Sequence, residues 1–165
     1  MQKLRFILLA VAFLGFSSSM LTAASSKPRK VEEPPGIKAY NKGTELLFEE
    51  EFEEAEVQLR EAVKEDPKLA EAYNNLAYVL RKQGSDHFEE SLEFYNKAIQ
   101  LEPKLSEAYM YRGVLYVQMG DQGKALEDHA VLERLKPSLA EELQYVIETG
   151  QEKVPAQFFG VTPED

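Results

Sequence analysis

The sequence predicts an all-α protein built from a repeated helical hairpin, and three observations carry that prediction. First, Pro67, Pro103 and Pro137 recur with a period of about 34 residues, the spacing of a helix–turn–helix repeat. Second, small residues stand at fixed distances before these prolines. Ala62, Ala55 and Gly43 lie five, twelve and twenty-four residues before Pro67. The same offsets from Pro137 reach Leu132, Ala125 and Gly113. From Pro103 they reach Ala98, Ser91 and, once two extra residues near Asp86 and His87 are allowed, Ala77. Third, apolar residues recur at three- and four-residue spacing, and glycine and proline are confined largely to the turns of this region.

The offsets have a physical cause. Two antiparallel helices approach closely only where neither carries a bulky side chain at the crossing. Gly43 with Ala55, Ala77 with Ser91, and Gly113 with Ala125 are three such pairs. Large residues are expected to fill the space around them: Tyr40, Leu46, Phe52 and Leu59; Tyr73, Leu76, Leu80, Phe88 and Tyr95; Tyr109, Leu115, Tyr116 and Leu126. Each proline stops the helix before it. With these residues the chain resembles the tetratricopeptide repeat family over roughly residues 36–139. The resemblance implies a right-handed superhelix of three hairpins that holds other proteins and is not an enzyme.

The elements follow in order. Residues 1–24 start with Lys3 and Arg5, continue through the apolar run Phe6–Phe16, and end in small residues at Ala23 and Ala24. This is the order of a cleaved secretory signal peptide, and it predicts export to a periplasm or the exterior. The alternative is an uncleaved anchor formed by residues 6–24, the one way the chain would meet a membrane. Residues 25–35 hold three prolines among charges and read as an extended linker. The domain proper is expected at 36–149, with repeats at about 36–69, 70–105 and 106–139. Ser138 and Glu141 form a capping-box pattern opening a seventh helix, 138–149, which covers the last apolar face. The remaining 150–165 reads as an irregular tail whose Phe158 and Phe159 are expected to fold back on the array.

Most chemistry is excluded by residue type. The chain has no cysteine, which removes disulfides, thiolate nucleophiles and thiolate metal sites. His87 falls in a turn that Ser85 and Asp86 suit as caps. His129 takes the offset of Leu59 and Tyr95 and is expected in the core, and neither histidine has a second ligand at metal spacing. The acids Glu49, Glu50, Glu51, Glu53 and Glu54 surround Phe52 without the alternation of a calcium loop, and read as a solvated turn. No phosphate loop or nucleophile elbow occurs. Catalytic residues, metal ligands and cofactors are therefore all expected to be absent. The net charge of −10 becomes about −12 without Lys3 and Arg5, and repels nucleic acid.

What remains is a groove. In the resembled family the first helix of each hairpin lines the concave wall. Carried over position by position, the wall offers Ile37, Tyr40, Asn41, Thr44, Leu47 and Phe48 from the first repeat. The second offers Glu71, Asn74, Asn75, Tyr78, Arg81 and Lys82, and the third Glu107, Met110, Tyr111, Val114, Val117 and Gln118. The peptide-binding candidates are Tyr40, Thr44, Asn74, Asn75, Tyr78, Arg81, Met110, Tyr111 and Val114. Tyrosines supply rigid area, and the Asn75 amide can both donate and accept along a peptide backbone. A family variety that grips a carboxylate terminus is matched here at Asn75 alone. Tyr40, Thr44, Glu107 and Tyr111 stand at its other positions, so that specificity is not expected. Glu71 and Glu107 favour a protein or peptide with basic and apolar residues. The alternative reading is a self-associating component of an envelope assembly, a homo-oligomer built by stacking of end hairpins.

Overall fold

The computed structural model describes residues 33–152, and helix formation begins where the prolines end. The helices are α1 (Ile37–Phe48), α2 (Phe52–Glu65), α3 (Ala70–Gln83), α4 (Phe88–Leu101), α5 (Ser106–Gln118), α6 (Gln122–Leu135) and α7 (Pro137–Thr149). A single 3-10 turn, Ser85–His87, precedes α4, and no strand occurs among the described residues. α1 packs on α2, α3 on α4 and α5 on α6, while α7 covers both α5 and α6. The fold is the all-α superhelix of three hairpins plus a terminal helix. The signal segment, most of the linker and the Phe158–Phe159 pair lie outside the described residues.

Local chemistry sets each corner. α1 ends with Glu50 in the left-handed region at φ 60°, and α5 ends with Gly120 at φ 81°. Both corners close in the same way. Glu51 N–H donates to Leu46 O and Glu50 N–H to Leu47 O, while Asp121 N–H donates to Tyr116 O and Gly120 N–H to Val117 O. This double bond pattern satisfies the last carbonyls of each helix. Asp121 then caps α6 by accepting from the Lys124 N–H at 3.2 Å. The first hairpin is clasped at its open end, where Gly36 N–H donates to Glu65 Oε2 at 2.9 Å.

The small residues sit where the helices nearly touch. A methyl added at Gly43 would come 2.7 Å from Leu59 Cγ of α2. At the second crossing Ser91 Oγ donates to Ala77 O at 2.7 Å, joining α4 to α3. The third glycine differs from the sequence reading. A methyl at Gly113 would meet Leu143 Cδ2 of α7 at 2.5 Å, so the tightest approach there is to the terminal helix rather than to Ala125. Ala55, Ala77 and Ala125 are themselves fully buried.

Four other expectations give way at the third hairpin and the turns. Leu126 faces outward, because α6 buries Ala125, Asp128 and Leu132 instead. His129 is half-buried in a cleft between α6 and α7, with Glu133 and Tyr145, whereas Leu59 and Tyr95 at the same offset have no exposure. α7 starts at Pro137 with Lys136 as its cap, and no side chain caps it, so Ser138 falls inside the first turn. A proline ring already holds the helical φ and lacks the N–H that a cap would satisfy, which draws the helix start onto it. Ser85 and Asp86 likewise make no side-chain cap; they form the 3-10 turn itself.

Candidate functional site

The inner wall is built by α1, α3 and α5, and its residues are more covered than an open groove would leave them. Thr44, Asn74, Asn75, Tyr78, Arg81, Met110, Tyr111 and Val114 are all buried, and Tyr40 is half-buried. On α3 the burial runs without a break from Asn74 to Arg81, two full turns with no exposed face. Met110 and Val114 belong to the apolar core cluster.

The polar residues divide into two groups. In the first, Asn75 Nδ2 donates to Thr44 Oγ1 at 3.2 Å and Asn75 Oδ1 accepts from Asn74 Nδ2 at 3.2 Å. Burial raises the Tyr40 hydroxyl pKa, partly offset by its neighbours Thr44 and Asn75. The Asn75 amide is thus engaged between helices, with Asn74 Oδ1 left buried and unbonded.

The second group surrounds Arg81. Its guanidinium lies 5.0 Å from the Tyr78 ring centre and 6.0 Å from that of Tyr111. The two rings meet edge to face at 5.1 Å. Such an arrangement sets the tyrosine rings against the cation. Gln118 Oε1 accepts from Arg81 Nη1 at 3.3 Å. The carboxylate comes from beyond the array: Nη1 donates to Glu152 Oε1 at 2.9 Å and Nη2 to Glu152 Oε2 at 3.2 Å. Two parallel bonds of this kind are the strong form of the pair. The Arg81 side chain has 0% exposure and that of Glu152 27%.

Electrostatics follow from that enclosure. Burial opposes the Arg81 charge, but Tyr95, Glu152 and Tyr78 outweigh it and hold the guanidinium above its ordinary range. Burial pushes Tyr78 up to about 12, and Tyr95 and Tyr111 higher still. Glu152 resists its own burial through Arg81 and ends below the usual carboxylate range. The Tyr95 hydroxyl and Arg81 Nε each lack a well-aligned partner, although the hydroxyl lies close enough to feel the guanidinium charge. Glu152 and Tyr95 were not among the sequence candidates. Tyr95 reads as core from its offset, and Glu152 lies outside the repeat register altogether.

No three His, Asp or Glu side chains converge among the described residues. No described helix is long and apolar enough to cross a membrane. At the third-repeat end Glu107 is already tied to Lys136 Nζ at 3.1 Å, while Glu71 at the second is exposed.

Residues 70–105 and 94–127 each match a family profile described as tetratricopeptide repeat. Over those residues the chain is similar to tetratricopeptide repeats. Solved structures agree on the fold. The first repeat domain of Spaghetti (RPAP3), bound to the HSP90 peptide SRMEEVD, is 19% identical with a TM-score of 0.63, covering 70% of this chain and 91% of that one. The Arabidopsis OM64 repeat domain is 19% identical with a TM-score of 0.64, covering 70% and 96%. The TPR2B domain of yeast Sti1, in its pHsp70 complex, is 22% identical with a TM-score of 0.61, covering 70% and 98%. Comparison with curated protein sequences returns no match.

Proposed function

We propose that this chain is an exported, non-catalytic tetratricopeptide repeat protein that recruits a peptide or protein segment in its concave groove. One observation carries the reading: just past the last helix, Glu152 places its carboxylate on Arg81 of the inner wall. A wall arginine that takes a carboxylate from outside the repeats has the chemistry to take one from an outside segment. The repeat domains of Spaghetti and yeast Sti1, which have the same fold, are seen with a peptide and in a pHsp70 complex respectively.

The ligand this wall favours has apolar residues for the tyrosines and a basic residue for the exposed acid Glu71 at its rim. Where it passes Arg81 it must supply an acceptor, since a buried guanidinium without one is costly. Export rests on the order of charge, apolar run and small residues in 1–24. The peptide groove is tested by placing a photocrosslinker at the rim, at Asn41 or Val117, in the native compartment. Val57 on the outer surface, 63% exposed, serves as control. A partner crosslinked from the rim and not from Val57 is expected. Crosslinks to copies of the chain alone, or equal yields at all three, contradict recruitment. An intact mass beginning at Ser25 or Ala24 checks export, and retention of Met1 contradicts it.

A further inference from the structure

The last described residue, Glu152, lies with its carboxylate on Arg81 of the inner wall, and thirteen residues follow it. Among the described residues Arg81 is the one fully buried cation, and none of the seven helices supplies its carboxylate. An array evolved to stand alone would leave such a residue solvated or pair it within a helix; here the pairing partner is brought by the tail. We propose that the C-terminal segment 151–165 is the resident occupant of the groove, held through Glu152 on Arg81, and that an outside ligand must displace it. This deepens the reading of the groove as a peptide site and rests on it.

Length, composition and charge agree with that occupant. Thirteen extended residues span about 43 Å, whereas the wall from α5 across α3 to α1 is two helix spacings, about 20 Å. Pro155 and Pro163 oppose helix and favour an extended path. Val154, Phe158, Phe159 and Val161 bring the apolar side chains that a tyrosine wall takes up. A tethered segment also competes at an effective concentration of about 1 mM, so the tail need bind only weakly by itself to exclude outside peptides.

The test uses the full chain and a fluorescein-labelled synthetic peptide of residues 151–165, read by polarisation. In the opened chain Glu152→Ala is combined with Phe158→Ser and Phe159→Ser. The probe is expected to bind the opened chain at least tenfold tighter than the parent, and to lose at least tenfold when the probe itself carries Glu152→Ala. Phe158→Ser with Phe159→Ser alone, which leaves the Arg81 pair intact, is expected to give a smaller gain of the same sign. Equal affinity for parent and opened chains, or no binding to either, overturns the proposal. The two ideas separate cleanly. A probe that fails while rim crosslinks find a partner removes the tail and keeps the groove. A probe that binds while no partner crosslinks keeps the tail and removes recruitment.

Discussion

Two arginines in this chain lie between tyrosine rings, and their carboxylates come from very different places. Arg112 of α5 sits 5.5 Å from the Tyr109 ring centre and 5.7 Å from that of Tyr116. It is held by Asp128 of α6, sixteen residues on, and donates to Asn96 Oδ1 of α4 at 2.6 Å. Arg81 has the same ring environment, but its carboxylate lies seventy-one residues away in a segment with no regular structure. The Arg112 cluster joins three helices that cannot part without unfolding. On the proposal above, the Arg81 cluster joins the array to a chain that can leave. One chemistry therefore serves as a rivet in the first place and as a socket in the second.

The comparison is broken most severely at the rivet. Asp128 is 2% exposed, so Asp128→Ala leaves Arg112 without its acid and is expected to cost about 3–5 kcal/mol in urea unfolding. Gly113→Leu forces atoms onto Leu143 and is expected to cost about 1–3 kcal/mol, lifting α7 from α5. At the socket the same kind of deletion should be mild. Glu152→Ala frees the tail and lets water reach Arg81, for an expected loss of about 1 kcal/mol by the same measurement. If Glu152→Ala costs as much as Asp128→Ala, the two clusters are alike and the socket reading fails. Smallest of all, Ser138→Ala should stay within about 0.5 kcal/mol, because α7 is started by Pro137 and not by that hydroxyl.

Acid acts on both clusters, since burial holds the Asp128 carboxyl above its ordinary range while Arg81 holds that of Glu152 below it. The Glu152 pKa is depressed in the folded state, so its stabilising contribution is present above the ordinary glutamate value of about 4.3. It is lost as the pH falls through the lower folded value. Tail release, followed by accessibility of Tyr78 and Tyr111 to a soluble quencher, is therefore expected on acidification before the helices melt. Quenching that changes only together with helix loss would contradict this.

The repeats were legible because close helix crossings demand small residues and turns demand prolines, and both recur along the chain. Ser91 and Ala77 behave as their offsets predict, while Gly43 approaches α2 as expected but at Leu59 rather than at Ala55. Legibility failed where the periodicity stops. Gly113 makes its tightest approach to α7, Leu126 faces outward, and His129 is half-buried beside α7. At Ser138 a capping pattern lost to the proline beside it. The wall was visible as a set of positions, but what each side chain does there was not. Asn75 turns its amide to Thr44 and Asn74, a choice made by helix spacing. Glu152 carried no signal at all, since a contact across seventy-one residues has no period to betray it.

The difference between socket and rivet can be watched directly in the side-chain Nε–Hε resonances of the two arginines. In the parent chain both should be sharp and protected from exchange with water. In the chain with Glu152→Ala, Phe158→Ser and Phe159→Ser, the Arg81 signal is predicted to shift and lose protection, and to return on addition of the 151–165 peptide. The Arg112 signal is predicted to stay in place throughout. An Arg81 signal unmoved by either step, or one that moves only in company with Arg112, would contradict the account.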